Sequence, residues 1–444
     1  MNIKISEHFT YRKLLRFTIP SMAMMIFTSI YGMVDGFFVS NYAGKIAFAA
    51  VNLIMPLLLI LAALGLMFGT GGSAIVAKTL GEGDKERANR YFSLFVYTAF
   101  VIGVVFAVLG FVFIRPIAAF LGAEGEVLKD CVIYGRIVLV VLPLYIWQQL
   151  FQSFFVTAEK PQLGFLVIVC AGVMNIVMDA LLVTLLPQGL KLAGAAIATA
   201  MSLLVGGLLP LFYFSRPNDS YLRLAKPWAD SAVLLKACIN GSSEFMGSAA
   251  MSIVGILYNR QLLYYAGEDG IDAFGVMMYV SMMFSAVFVG YTIGTEPLVG
   301  FNYGAKNYAE LKNLLRCNLT VIGCFSVVMF CAAQVLAVPL AKIFVGYDAA
   351  LMQMTTDGFR IYSVAFLFMG FAIYVSGFFT SLSNGVISAV ISFMRSLVFE
   401  CSAVIILPKL LGISGIWWSV TIAEFMAVVM SVIFLAAKQK QYQY

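Results

Sequence analysis

Residues 120–155 read FLGAEGEVLKDCVIYGRIVLVVLPLYIWQQLFQSFF, and three landmarks within them recur further along the chain. Each recurs at an offset of 224 residues: Phe120-Leu121-Gly122 as Phe344-Val345-Gly346, Arg136-Ile137 as Arg360-Ile361, and Phe154-Phe155 as Phe378-Phe379. Flanking landmarks keep nearly the same offset: Gly81 with Gly304 and Pro116 with Pro339 at 223, Pro187 with Pro408 and Gly194 with Gly415 at 221. The offset changes by only three residues over most of each half, which predicts a duplicated unit.

The composition indicates that both halves lie in a membrane. The chain is 62% hydrophobic and 11% charged, far from the composition of a soluble domain. About twelve apolar stretches, six per half, are long enough to cross the bilayer as helices. We place them at 17–39, 51–77, 92–114, 132–157, 164–186, 193–214, 236–264, 273–299, 316–340, 359–382, 386–407 and 414–436. No cleavable signal peptide is evident, so the first stretch is read as a retained helix.

The distribution of basic residues predicts the topology. The two ends and alternate loops carry 18 of the 28 Lys and Arg residues, and the opposite side carries six. By the positive-inside rule, both termini lie in the cytoplasm of a multi-pass protein of the inner or plasma membrane. This bias explains the net charge of +6, so no nucleic-acid partner is expected.

The longest polar connection divides the chain into two lobes. We predict an N-terminal six-helix lobe over residues 1–214, a cytoplasmic linker over 215–235 and a C-terminal six-helix lobe over 236–444. Six spans per half start both repeats on the same side, so the repeats are parallel rather than inverted. The predicted fold is therefore an all-α integral membrane protein of two parallel repeats, a build that recurs in secondary transporters.

Several motifs that would indicate an enzyme or a cofactor are missing or have ordinary explanations. The seven cysteines have no metal or redox spacing, and the lone His8 lies in the N-terminal tail. Gly81-Glu82-Gly83 follows a membrane helix rather than a strand, which favours a helix cap over a phosphate site. A Walker lysine motif is absent, which excludes ATP hydrolysis by this chain. We expect a monomeric transporter that needs no cofactor and is not an enzyme.

The strongest candidates for chemistry are acids buried in apolar spans. A charged side chain at mid-membrane costs about 2.5–3.5 kcal/mol on insertion scales, so it normally pairs, binds an ion or faces a cavity. Asp35 and Asp179 lie in spans that enter from the same side and should reach a similar depth. Asn175 is one turn before Asp179 on the same helical face, and Thr199 should lie at a comparable depth in the next span.

Together these four residues predict a cation site: Asp35, Asn175, Asp179 and Thr199. Two carboxylates, an amide and a hydroxyl supply hard oxygen ligands for Na⁺. The same two carboxylates, desolvated and close together, would share a proton. The choice between Na⁺ and H⁺ stays open, and the alternative is a hydrogen-bonded cluster between helices with no role in transport.

The second half departs from this pattern. The counterpart of Asp35 falls at Tyr258 or Asn259, and those of Asn175 and Asp179 are Ser396 and Glu400. The loss of one acid predicts that ion coupling belongs chiefly to the N-terminal lobe. Two readings of Glu400 stay open: neutralisation by Arg395 or Arg260, or a functional carboxylate.

A substrate cavity is expected from the remaining acids and methionines. Glu244 could offer a negative wall to a cation or hydrogen-bond within the cytoplasmic gate, Glu296 is read as structural, and Glu424 has no assigned role. Methionine and aromatic surfaces adapt to varied hydrophobic ligands, although such a stripe is usually packing or lipid contact. The full set of cavity candidates is Glu244, Met277, Met278, Met282 and Glu400.

The chain resembles the multidrug and toxic compound extrusion (MATE) transporters, and is most similar to their MepA-type bacterial branch. The matching segments are Pro20 with Tyr31-Gly32-Met33-Val34-Asp35-Gly36-Phe37-Phe38-Val39 and Ala47-Phe48-Ala49-Ala50-Val51-Asn52, Asn175-x-x-x-Asp179 with Gly194-Ala195-Ala196-Ile197-Ala198-Thr199, and Gly294-Thr295-Glu296-Pro297. The resemblance implies two six-helix bundles around a V-shaped cavity and a cation site at Asp35, Asn175, Asp179 and Thr199. It also implies export of organic-cation drugs or dyes in exchange for Na⁺ or H⁺, by alternating access within membrane lipid.

One alternative function shares this architecture. A lipid-linked oligosaccharide flippase handles polyanionic pyrophosphate lipids and should line its cavity with Arg and Lys. In this sequence most charges in the inner spans are acids, which favours cationic cargo.

Overall fold

A computed structural model of the chain describes residues 3–444, and all regular secondary structure in that range is helical. The α-helices are α1 (Tyr11–Phe38), α2 (Lys45–Gly81), α3 (Lys85–Phe120), α4 (Gly125–Val140), α5 (Leu142–Thr157), α6 (Pro161–Leu185), α7 (Lys191–Ser215), α8 (Ser231–Gly304), α9 (Tyr308–Val345), α10 (Ala349–Tyr362), α11 (Phe366–Ser381), α12 (Gly385–Phe393), α13 (Glu400–Leu411) and α14 (Ile413–Tyr442). Short 3₁₀ turns occupy Gln188–Leu190 and Ser363–Ala365, and π turns occupy Val39–Ala43 and Met394–Phe399.

The predicted membrane spans correspond to these helices. Within residues 3–444, ten helical stretches are long and apolar enough to cross a bilayer. One of them, α8, has 74 residues and holds two predicted spans, separated where Gly267 leaves the helical conformation at φ 66°. The predicted span 132–157 is covered by α4 and α5, each of 16 residues. The all-helical membrane fold is therefore confirmed.

The duplication is visible in the helix breaks. The α4–α5 break lies at Val141, just before Pro143, which has no N–H to donate to a continuous helix. In the second repeat, the 3₁₀ turn Ser363–Ala365 interrupts the helix at the matching place. Glu159 and Ser383, 224 residues apart, both end their helices with a positive φ, 60° and 59°. Equivalent sequence thus produces equivalent local geometry in both halves.

The two lobes touch through two equivalent helix crossings. A Cβ added to Gly294 of α8 would lie 3.0 Å from the Thr18 side chain of α1. A Cβ added to Gly71 of α2 would lie 2.6 Å from the backbone nitrogen of Gly241 in α8. The repeat relates the two crossings to each other. Thr18 and Gly241 occupy equivalent positions 223 residues apart, and so do Gly71 and Gly294. Small residues thus allow backbones of opposite lobes to approach closely.

The lobes separate away from these crossings. Gly81 of α2 and Gly304 of α8, another repeat pair, pack against the opposite helix near the chain termini. Gly32 and Gly36 of α1 and Gly255 of α8 lie in the other half of the molecule, and a Cβ at any of them would meet no atom within 4 Å. The molecule is therefore a V that is closed at the end where both termini lie.

Two extended segments lie across this closed end. The N-terminal segment packs on the second lobe, where Phe9 is fully buried and donates its N–H to Glu310 Oε1 at 2.9 Å. The connection after α7 folds back on the first lobe, where Leu222 is buried. Since α8 begins at Ser231, residues 231–235 are helical. The division into lobes 1–214 and 236–444 stays a prediction.

Candidate functional site

Four predicted residues meet between α1, α6 and α7. Thr199 of α7 donates its hydroxyl to Asp35 Oδ1 of α1 at 3.3 Å. Asp179 and Asn175, both on α6, face the same Asp35 carboxylate. Asp35, Asn175 and Asp179 are buried. The structure thus brings together all four residues of the predicted cation site.

Small residues bring these helices close enough. Gly194 of α7 lies against α6, where an added Cβ would be 3.0 Å from Leu186 and 3.1 Å from Leu182. On the other face of α6, a Cβ at Gly172 would lie 3.0 Å from Tyr31 of α1. Larger side chains at either glycine would push α1 or α7 away. The polar groups would then lose contact with one another.

The site has unused acceptors. Within residues 3–444, both oxygens of Asp179 and the Oδ1 atom of Asn175 receive no hydrogen bond although they are buried. A buried carboxylate without a donor is costly unless it holds a proton or a cation. The donor set is two carboxylates, one amide oxygen and one hydroxyl. It therefore fits a single proton or a small monovalent cation.

Tyr134 belongs to this site but was not among the sequence candidates. Its side chain on α4 is fully buried, and its hydroxyl lies near Thr199, Asp35 and Asp179. The sequence contains 21 tyrosines, most of them in or near apolar spans, so a lone Tyr in α4 carried little signal. Only the packing of α4 beside α7 identifies it.

The equivalent place in the second lobe has fewer polar groups. Tyr258, rather than the exposed Asn259, takes the position of Asp35 and lies beside Glu400. Tyr258 stacks on Phe274 with ring centroids 4.6 Å apart. By the repeat offsets, Thr199 is replaced by Val420 and Tyr134 by Gly358. At the positions equivalent to the four residues and Tyr134, the second lobe therefore retains one carboxylate, Glu400, and lacks the polar set of the first.

Arg395 pairs with Glu424, to which the sequence assigned no role. Its Nε donates to both Glu424 oxygens of α14 at 2.9 Å each, whereas neutralisation of Glu400 by Arg395 was one of the two open readings. Arg395 lies on the π turn Met394–Phe399, which inserts extra backbone before Glu400 and turns the guanidinium toward α14. Arg260 is exposed and forms no ion pair with any residue of 3–444. Glu400 stays within electrostatic reach of Arg395 but is not its ion-pair partner.

The other predicted cavity residues are scattered. Glu244 is half-buried and lies within electrostatic reach of Arg395. Met277 is fully buried and packs against Gly358 beside Trp417, whereas Met278 is half-buried and Met282 is exposed. The structure brings Glu244 and Glu400 to one charged region around Arg395, whereas Met277 lies in the hydrophobic core of the second lobe. Their part in substrate binding stays a prediction.

No metal centre of the usual kind accompanies the site. In the part of the chain that the structure describes, no three His, Cys, Asp or Glu side chains gather to hold a metal ion. Structural and catalytic metals generally take three or more protein ligands of these types.

Known proteins resemble this chain along its whole length. The MatE family model matches it twice, at residues 20–181 and 245–405. The multidrug export protein MepA of Staphylococcus saprophyticus is 25% identical over 423 residues, which cover 93% of this chain and 91% of that protein. Its counterpart in Staphylococcus aureus strain MRSA252 is 24% identical over 417 residues, with coverage of 93% and 91%. An outward-facing structure of a multidrug resistance MATE family transporter superposes with a TM-score of 0.92 at 22% identity, with 99% and 98% of the two chains covered. The twofold match of the family model, the fold and the conserved length together show that the chain belongs to the MatE family.

Proposed function

We propose that this protein is a secondary-active multidrug efflux antiporter, which exports lipophilic organic cations in exchange for Na⁺ or H⁺. The observation that carries the proposal is the convergence of Asp35 and Asp179 with Asn175 and Thr199 inside the first lobe. As a member of its family, the chain is a membrane transport protein and not an enzyme. We infer that it acts as a monomer in the plasma membrane, with both termini in the cytoplasm.

Coupling would follow from the charge of the site. Two buried carboxylates in contact cannot both stay ionised without a compensating cation. An H⁺ or Na⁺ that moves inward releases about 2.3 kcal/mol of free energy per 100 mV of membrane potential, in addition to the free energy of its own concentration gradient. Binding shifts the balance between two lobe arrangements only by the difference in ion affinity between them. An ion that favours the arrangement with low drug affinity would therefore release the drug.

The shape of the molecule supports the direction of transport. The lobes meet at the end that holds the termini and separate at the other end. With cytoplasmic termini, this arrangement opens the space between the lobes to the outside, which is the release state of an exporter. The solved relative that is described as outward-facing has the same fold.

The charge of the second lobe supports a cationic substrate. Around Arg395 lie three acids, Glu244, Glu400 and Glu424, of which only Glu424 pairs with the guanidinium. A flippase for pyrophosphate-linked lipids would need the opposite sign. The MepA relatives are named multidrug export proteins, which supports drugs as the substrates.

The direct test is ethidium efflux from proteoliposomes, driven separately by a Na⁺ gradient and by a pH gradient. Efflux should follow one gradient and fall to background in Asp35→Asn and in Asp179→Asn, because each change removes a charge that the ion must neutralise. Asp272→Asn, at an exposed carboxylate between the two halves of α8, is the matched control and should keep full efflux.

Two outcomes would contradict the proposal. Normal gradient-driven efflux in Asp35→Asn would remove the first lobe from coupling. No efflux under either gradient, from wild-type protein shown to be folded, would favour the lipid-linked oligosaccharide flippase and require a lipid substrate in the next assay.

A further inference from the structure

A cleft of about 500 Å³ lies between the start of α1 and the start of α6. Its lining includes Arg16, Phe17 and Pro20 of α1, Lys160 at the N-cap of α6, and Phe165 and Leu166 one to two turns further along α6. Both helices have their first turns at the end of the molecule where the termini lie. The cleft is therefore at the membrane surface on that side, and it is separate from the Asp35–Asp179 site.

The mouth of the cleft carries two available cations. Arg16 is exposed and Lys160 is half-buried, and neither side chain forms an ion pair with another residue of the described range 3–444. One acid, Glu159, also lines the cleft. Its Oε1 atom already accepts the N–H of Ile5 at 2.7 Å. The cleft thus has an excess of positive charge at its aqueous edge.

Deeper in the cleft, the surface is apolar and open to lipid. Phe17 and Pro20 form one wall, and Phe165 the other. Leu166 is 55% exposed and Ile19, next to Pro20, is 54% exposed. Apolar side chains this exposed on membrane helices face hydrocarbon. A soluble anion would meet only the basic mouth, whereas an amphipathic anion could use both parts of the cleft.

We propose that this cleft binds an anionic phospholipid of the membrane leaflet on the terminal side. The phosphate accepts hydrogen bonds from Arg16 and Lys160, and an acyl chain lies along Phe165 and Leu166. Arg and Lys both bind phosphate well, Arg through its planar fork and Lys as a point charge. Clefts between helices that are lined with basic residues at the headgroup level suit anionic lipid headgroups. This inference goes beyond the proposed transport and does not depend on which substrate is exported.

Lipid retention measured by native mass spectrometry tests the proposal. The purified full-length protein is incubated with equal amounts of phosphatidylglycerol and phosphatidylcholine, and the bound lipids are counted. Wild type should keep one phosphatidylglycerol in preference to phosphatidylcholine. The double variant Arg16→Gln/Lys160→Gln should lose that preference by about tenfold or more, because it removes both charged hydrogen bonds to the phosphate.

A matched control separates this cleft from general surface charge. Lys312→Gln/Arg316→Gln removes the same two charges from exposed positions near the start of α9, at the same end of the molecule, and should retain phosphatidylglycerol as wild type does. Arg16→Lys/Lys160→Arg keeps the charges and should restore binding, which also guards against a folding defect in the neutral variant. Equal retention by wild type and Arg16→Gln/Lys160→Gln, or no preference for phosphatidylglycerol in wild type, would overturn the proposal.

Inorganic phosphate distinguishes a lipid from a soluble anion. Free phosphate should displace phosphatidylglycerol only weakly, and Leu166→Asn should reduce lipid retention although it leaves both cations in place. If phosphate displaces the lipid completely and Leu166→Asn has no effect, the cleft is a site for a soluble anion and the lipid assignment is wrong.

Discussion

At the residue scale, the two carboxylates of the proposed cation site differ in the hydrogen bonds that they accept. Asp35 accepts a hydrogen bond from Thr199 at 3.3 Å, whereas the Asp179 oxygens accept none from any residue in 3–444. In the proposed mechanism, Asp179 therefore depends more on the bound ion than Asp35 does. Thr199 orients the Asp35 carboxylate through this hydrogen bond, and the buried Tyr134 hydroxyl lies beside it.

We predict that Thr199→Ala weakens ion binding without abolishing transport. Loss of a hydroxyl that donates to a carboxylate costs about 1.5–3 kcal/mol, which corresponds to a roughly tenfold or greater rise in the half-saturating ion concentration. Thr199→Ser keeps the hydroxyl and should behave as wild type. Ion-dependent ethidium efflux in proteoliposomes measures the change. Unchanged ion dependence in Thr199→Ala would show that the hydroxyl takes no part in binding.

A second prediction at this scale concerns the Arg395–Glu424 pair, whose side chains are only 21% and 6% exposed. Arg395→Met should destabilise the protein by about 3–5 kcal/mol, because it leaves Glu424 buried without a partner. Arg395→Met/Glu424→Met should recover most of that loss, because the double variant leaves no unpaired charge from the pair. Thermal unfolding in detergent gives the comparison. Equal losses in the single and double variants would mean that the ion pair itself stabilises the lobe.

At the scale of the elements, the α5–α6 turn connects the first lobe to the N-terminal segment. Glu159 lies in this turn with φ at 60°, an uncommon conformation for a residue with a side chain. It accepts the Ile5 N–H, and four residues later Phe9 donates to Glu310 of α9. Residues 5–9 therefore join both lobes across the closed end of the V.

Burial raises the pKa of Glu159 above its ordinary value of 4.5, although the Ile5 N–H and nearby lysines oppose the shift. Because the folded protein binds this proton more tightly than the unfolded chain, the contribution of Glu159 to stability is complete below pH 4.5 and declines as the pH rises through the raised pKa. Glu159→Gln cannot ionise and still offers an acceptor to Ile5. Its melting temperature relative to wild type should therefore increase between pH 4.5 and pH 8.

Melting curves over this pH range test the prediction, with the exposed Glu124→Gln as the control. The difference between Glu124→Gln and wild type should stay nearly constant over the same range. A difference between Glu159→Gln and wild type that does not depend on pH would be evidence against the buried carboxylate as the cause.

At the scale of the whole molecule, the pseudo-equivalent crossings of α1, α2 and α8 form the closed end of the V. The contacts Thr18 with Gly294 and Gly71 with Gly241 leave no space for larger side chains. Well-packed interfaces of this kind switch between discrete arrangements rather than stretch. Alternating access would therefore require the packed helices at each of these crossings to separate as rigid bodies.

We predict that locking the closed end stops transport. Lys78 of α2 lies over the Tyr303 ring of α8, with its Nζ 5.2 Å from the ring centroid, so the pair spans the two lobes. Cysteines at positions 78 and 303, in a background without the seven native cysteines, would be joined by a short thiol cross-linker. Efflux should fall to background as cross-linking proceeds and return when a cleavable linker is cut. Each single-cysteine variant treated in the same way is the control, and full efflux from cross-linked protein would contradict rocking of the lobes.

The sequence alone determined the membrane fold and the duplicated halves, and it predicted the four residues that meet between α1, α6 and α7. These features depend on properties that can be read directly from the sequence: the length of apolar stretches, the spacing of repeated landmarks and the presence of acids, which are costly inside a bilayer. The depth of a residue in the membrane can be counted in residues from either end of its span. This count predicted a similar depth for Asp35, Asn175, Asp179 and Thr199. The MatE family match agrees with this reading of the fold.

Only the tertiary structure decided which side chains meet across helices. The rotation of each helix about its axis selected Tyr258 over Asn259, brought Tyr134 to the cation site, and buried Met277 in the core. The π turn Met394–Phe399 changed the helical register, so Arg395 contacts Glu424 instead of Glu400. Neither rotation nor an inserted backbone residue follows from hydrophobic length, because both depend on how neighbouring helices pack.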